Sequence, residues 1–429
     1  MEDLGMANAG FQNLHFATDQ RSVDSFNSEF YGHIKYPWPP WYFEKVQRAS
    51  LGVRMLSQDI GYWGGTVLPA EPRIWVAGCG TNQALITALR FPHAQVLGSD
   101  LSAESLAVCA ANARSLATGN LELKHESINQ AAYTGCFDYI ICTGVIHHNA
   151  DPIAALSQLA GALRPEGLLE LMVYNQFHRI LTSSFQTALW LVLGKPAKPD
   201  LVRELPMARR LIDACPPDTL MSAFLATMAE TPDARFADAL LQPVEHNFTV
   251  ETLQRAAAGC GIEMLTFCND IFSRSSSVAD WNLEIQDEDL RGIYMALPDA
   301  ERWQITNLLL AEASPMLWFY FQRLDCPRPR KPEGLICEEF LDTAFARVKT
   351  EKEIFFRQLN GGYGGPPTRS PFPGEPNDPL ARRVFGDLDE GAPFRETLRK
   401  LAIEPTFSRC NRLRLQLATS GGPYLEAVE

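Results

Sequence analysis

Two histidines in tandem, His147 and His148, stand just beyond the apolar run FDYIIC, and Tyr174 and His178 stand beyond a second run, LLELMV. An imidazole titrates near neutrality, so a histidine here is a candidate general base. His147 is the preferred base, with Tyr174 or His178 positioning a substrate. The alternative is that the pair holds its loop by bonding backbone. Upstream, Val76-Ala77-Gly78-Cys79-Gly80-Thr81-Asn82 closes another apolar run, and Asp100 follows about twenty residues later. Glycines in a strand-to-helix turn let backbone approach a ligand closely. An acid ending the next strand is suited to bond ribose hydroxyls. Asp100 also reads as a helix cap, or as the partner of one at Ser102.

Short apolar strands must position these groups. RIWVAG, QVLGSD, LELKHE, FDYIICTG and GLLELMVY alternate with helical stretches such as NQALITALRF, SAESLAVCAANARSLA and DPIAALSQLAGAL. That alternation predicts an α/β fold of parallel βαβ units with right-handed crossovers. Residues 176–244 read as proline-punctuated helices that should roof a pocket at the carboxyl ends of the strands. Thr249 is a plausible N-cap of the next helix. IEMLTF and WFYFQRL are further strands, separated by a helical stretch from Trp281 to Leu310. The expected organisation is an aromatic and proline-rich arm at 1–50, extended because Tyr36-Pro37-Trp38-Pro39-Pro40-Trp41 cannot be a helix interior. A domain at 51–325 follows, with insertions at about 176–244 and 275–315, and then an extension at 326–429. That extension should hold a helix around Glu338 to Leu359. Rings in the arm, including Tyr31, Tyr36 and Trp38, are placed to close the pocket's other side.

The glycine turn lacks one feature of a dinucleotide site. G-x-G-x-x-G would need glycine at position 83, which is Gln83. A ligand without phosphates, carrying a positive sulfonium over the turn, suits Gly78-Cys79-Gly80-Thr81 better. Two further segments, FDYIICTGVIHH at 137–148 and LRPEGLL at 163–169, resemble the later motifs of class I S-adenosylmethionine-dependent methyltransferases, F-D-x-I…LHH…DP and L-[KR]-P-x-G. With AGCGT and FPHAQVLGSDLSAESL, the resemblance covers about 100 residues in order. It is closest to a bacterial subgroup whose glycine loop reads A-G-C-G-T-G and which tends to carry an F-T-V helix followed by A-G-x, as at Phe248 to Gly261.

The resemblance implies a Rossmann-like core, a mostly parallel seven-stranded sheet, with S-adenosyl-L-methionine as cofactor. Gly78, Cys79 and Gly80 would pass under its methionine part. Asp100 would bind the ribose, with Leu101 against the adenine. Ser127 and Ile128 stand where the family often has an acid contacting the adenine amine. Cys142 and Thr143 would floor the sulfonium. Val76 and Asn82 replace the usual acid and last glycine, so Asn82, Gln83 or backbone carbonyls must accept from the cofactor's amino group. Segment 378–429 faintly resembles a winged-helix-like module. An extension packed on the core is the other reading.

Composition narrows the partners. The net charge of −13 argues against nucleic acid, whose binders usually present a basic face. The most apolar stretch, Ala188 to Leu193, is far shorter than the roughly 20 residues of a span. MEDLGMANAG lacks the basic and apolar regions of a secretory leader. The ten cysteines form no metal-spaced set, so no metal is expected and the cytoplasm is the natural compartment. The expected partner is a small-molecule substrate, with neither nucleic acid nor membrane, and room is left for a homodimer. The leading reading is N- or O-methylation of a small molecule, as in specialised metabolism. The others are a protein or peptide methyltransferase, aminocarboxypropyl transfer or cyclisation of the cofactor, and a catalytically inert scaffold, which intact Gly78, Gly80 and Asp100 oppose.

Overall fold

A computed structural model describes residues 12–14, 19–34, 39–196, 199–269, 280–311, 313–314 and 316–428. Seven strands form the central sheet: β1 (Arg73–Ala77), β2 (Gln95–Asp100), β3 (Leu121–His125), β4 (Phe137–Thr143), β5 (Leu163–Tyr174), β6 (Ile262–Phe267) and β7 (Met316–Arg323). Their order is β3-β2-β1-β4-β5-β7-β6. Strands β1 to β5 run parallel, and β7 runs antiparallel between β5 and β6. The mostly parallel seven-stranded sheet implied by the resemblance is therefore present. Both faces are covered, which is why β1 and β4 read as unbroken apolar runs. Ile74 and Val76 enter one core, while Trp75 and Ala77 enter the other. Chain order reverses between β1 and β4, and in open α/β sheets that switch point opens a crevice at the strands' carboxyl ends.

Ten helices serve the site's description: α1 (Gln20–Ile34), α2 (Leu51–Asp59), α3 (Gln83–Arg90), α4 (Ala103–Ser115), α5 (Pro152–Ala162), α6 (Ile180–Val192), α7 (Leu201–Asp213), α8 (Leu220–Ala229), α9 (Asp233–Leu240) and α10 (Val250–Gly259). Thr249 caps α10, accepting from the Thr252 backbone N–H. Helices α6 to α9 share a core of Phe185, Leu189, Phe236 and Leu240 with Phe30 of α1.

Three local expectations are corrected. The arm is helical over Gln20–Ile34, because Val23, Phe26 and Phe30 recur at helical spacing and bury one face. The proline argument applied only to residues 36–41, and Tyr36 and Trp38 lie outside the described residues. The helix expected from Glu338 to Leu359 lies instead at Glu333–Asp342. Strand Thr350–Phe356 follows, paired with Tyr42–Val46 and Thr368–Phe372; its Glu and Lys residues favour helix locally, and the ladder overrides them. Strand β5 starts at Leu163, ahead of Gly167, with a register shift between Phe137 and Tyr139 beside it. The C-terminal residues pack around Phe340, Phe345, Phe394 and Leu413, in a core that Trp63 joins. Among the described residues no helix is long and apolar enough to cross a membrane.

Candidate cofactor and substrate site

The turn after β1 is built for backbone contact. Gly78 and Gly80 have φ of +70° and +53°, a region that side chains disfavour. A Cβ on Gly78 would lie 2.4 Å from Val145 Cγ2, so the loops after β1 and β4 touch. The N–H groups of Gly78 and Cys79 donate to the Ser99 carbonyl at 2.8 and 2.9 Å. The Gly80 N–H donates to Asp100 Oδ2 at 2.7 Å and the Ser102 N–H to Oδ1 at 2.8 Å. Ser102 in turn caps α4. Asp100 thus braces the turn and the cap together. Burial raises its carboxyl pKa, against the two backbone donors. Each oxygen keeps acceptor capacity for a diol. Asp100→Ala should weaken S-adenosylhomocysteine binding by about 100-fold, from hydrogen bonds to a charged group at roughly 1.5–3 kcal/mol each. Calorimetric titration checks this, and unchanged affinity would remove Asp100 from the site.

A cavity of about 670 Å³ runs from this turn. Gly78, Cys79, Gly80, Asn82, Asp100, Leu101, Ser127, Ile128 and Thr143 all line it. Gln83 Nε2 donates to Thr143 Oγ1 at 2.6 Å, joining α3 to the end of β4. Where an acid was missing at Ser127, α1 supplies one: Ser127 Oγ donates to Asp24 Oδ2 at 2.8 Å. Helix α1 also bonds the loops after β2 and β4, through Ser28 Oγ to the Leu101 carbonyl at 2.8 Å and Asn27 Nδ2 to the His148 carbonyl at 2.9 Å.

The four residues nominated for chemistry separate. His148 and Tyr174 line the cavity, whereas His147 and His178 do not. His148 Nδ1 lies 2.8 Å from the Val244 carbonyl. Nδ1 therefore carries the proton and Nε2 is left as an acceptor. Burial pushes the His148 pKa down to about 4. His147 is fully buried, its ring tilted against that of Tyr174 at 4.0 Å and edge-on to that of His148 at 4.2 Å. Neither His147 nitrogen has a hydrogen-bond partner among the described residues, and burial holds its pKa well below the usual value. His178 sits in the turn before α6.

The roof supplies groups that the sequence did not single out. Arg179, Arg235, Asp238 and Ala239 line the cavity, together with Asn27 and Tyr31 of α1. The insertion after β5 thus covers the strands' carboxyl edge, as topology suggested. Arg179 clasps both oxygens of buried Glu245, at 2.8 and 2.5 Å, and its guanidinium lies 4.4 Å from the Tyr174 ring centroid. Burial alone would raise the Glu245 carboxyl, but Arg179 overrides it and holds the pKa below normal. Among the described residues no three metal-ligating side chains gather.

Residues 75–169 match a family model described as a methyltransferase domain. Over that stretch the chain is similar to methyltransferase domains. The match includes the glycine turn, Asp100, Ser127, Thr143 and both tandem histidines. An uncharacterized protein of Synechococcus sp. is 29% identical over 255 residues, covering 58% of this chain and 60% of that protein. The tRNA 5-carboxymethoxyuridine methyltransferase of Escherichia coli is 30% identical over 159 residues, 35% of this chain and 59% of that protein. The chain thus spans about 60% of the length of these curated relatives. Among solved structures, PKMT2 from Rickettsia typhi shares the fold, with a TM-score of 0.56, 15% identity, and coverage of 91% of this chain and 77% of that one. PKMT2 from Rickettsia typhi has been solved in complex with AdoHcy.

Proposed function

We propose that the chain transfers the methyl group of S-adenosylmethionine to a nitrogen or oxygen of a small molecule held beneath α1 and α9. One observation carries the reading: a single cavity joins the turn at Gly78 and Asp100 to a chamber lined by His148, Tyr174 and Asp238. The residues present fit the cofactor, since Asp100 retains acceptor capacity and Gly78 has no room for a Cβ. When bound, the cofactor supplies an electrophilic methyl group. Methyl transfer is an in-line displacement, so the protein's task is alignment and exclusion of water. His148, rather than buried His147, is the base: its neutral Nε2 takes the proton from the nucleophile as the new bond forms. The AGCGT subgroup and a cytoplasmic site belong to the same reading, with neither nucleic acid nor membrane as partner.

A protein or peptide acceptor is the second reading, favoured by the fold shared with PKMT2 over most of the chain. The roof of α1 and α9 over the cavity supports the small acceptor instead. Calorimetry with S-adenosylhomocysteine should give one site per chain, and no binding would overturn the proposal. Product analysis then separates the chemistries. Methyl transfer releases S-adenosylhomocysteine, whereas aminocarboxypropyl transfer releases methylthioadenosine.

A further inference from the structure

We infer that Asp238 selects the substrate of this chamber, and that the substrate is a small organic amine held by its ammonium group on an apolar body. The inference rests on the methyl-transfer reading of the same cavity. Helix α9 turns Phe236, Ala237 and Leu240 into the roof core, and gives Arg235, Asp238 and Ala239 to the cavity. Among the described residues no hydrogen bond or ion pair reaches the Asp238 carboxylate; its charged neighbours are Arg179 and Glu245. Arg179 is taken up by a two-pronged ion pair with Glu245, and its charge only partly offsets the burial of Asp238. Burial pushes its pKa up to about 7.

Asp238 is half-buried; a carboxylate partly removed from water without a partner is unfavourable, and a bound ammonium supplies both charge and hydrogen bonds. Arg235, by contrast, is exposed. Water solvates it, and it needs no anionic ligand. Tyr31, Tyr174, Met172 and Met316 also line the cavity. Aromatic and thioether surfaces of this kind suit an apolar body and a nearby cation. An ammonium has no lone pair, so this group is the recognition handle, and the methyl acceptor is a second nitrogen or an oxygen.

The test is calorimetry on the full chain saturated with S-adenosylhomocysteine. The probes are phenethylamine, the neutral isostere phenethyl alcohol and the anion 3-phenylpropionate. Phenethylamine should bind at least ~10-fold more tightly than either. Asp238→Asn should abolish that preference, Asp238→Glu should keep it, and S-adenosylhomocysteine affinity should stay within about twofold in both. Equal binding of the three probes by the unaltered protein, tighter binding of the anion, or a preference that survives in Asp238→Asn would overturn the inference alone. Failure of S-adenosylhomocysteine itself to bind would overturn the methyl-transfer reading, and the inference with it. The three-probe comparison on the unaltered protein stands whether or not the variants fold.

Discussion

Replacing His148 with alanine should lower kcat by ~10²- to 10⁴-fold, the usual contribution of a positioned base. Affinity for S-adenosylhomocysteine should stay within about twofold, because His148 and Asp100 share no partner. The argument is geometric. His148 lines the cavity and its Nδ1 is engaged by the Val244 carbonyl, so the remaining nitrogen is held as an acceptor. His147 is buried against Tyr174, and His147→Ala should act mainly on stability by leaving a void. A full rate in His148→Ala together with a lost rate in His147→Ala would return the role to His147. The pH profile gives a second check. Burial lowers the His148 pKa to about 4, so the base form persists through neutrality and the rate falls only as pH drops through about 4. The depressed pKa also links to folding. Its stabilising effect is present above the unfolded value of about 6.5 and is lost as pH falls toward the folded value.

Arg179→Met should cost ~3–5 kcal/mol of stability, measured by chemical denaturation, because it strands a buried carboxylate. Glu245 is fully buried and Arg179 nearly so. The side chain also donates to the Ala239 carbonyl at 3.1 Å, tying the start of α6 to the end of α9. Adding Glu245→Gln to Arg179→Met should recover much of the loss, since the uncompensated charge goes with it. In the unaltered protein the Glu245 pKa is depressed. The pair's contribution is therefore complete above the unfolded carboxylate value and disappears as pH falls through the folded one. A loss under about 1 kcal/mol would mean that the pair is solvated and worth no more than a surface bridge.

The glycine-turn wall of the cavity was legible in the sequence because it is local. Gly78 and Gly80 sit two residues apart on one turn, and Asp100 reaches that turn because parallel neighbours β1 and β2 end side by side. Strand pairing converts a spacing of about twenty residues into a hydrogen bond, so periodicity and glycine placement suffice to find it. The strand-end positions of His148 and Tyr174 were legible for the same reason. Which of two adjacent histidines lines the cavity was not, since consecutive residues in a short turn differ only in direction. Tertiary structure decided that, and it decided the chamber. Asp24 reaches Ser127 across 103 residues, and Arg179 reaches Glu245 across 66. Asp238 is one of several acids on polar helices until α9 is laid over the sheet. Helix α1 was hidden in an arm read by its prolines, although Val23, Phe26 and Phe30 already had helical spacing. The sequence by itself determined the glycine turn after β1, because its contacts follow from one βαβ unit. Only the packing of α1 and α9 over the carboxyl edge determined what else that turn faces, because those contacts join segments with no fixed spacing along the chain.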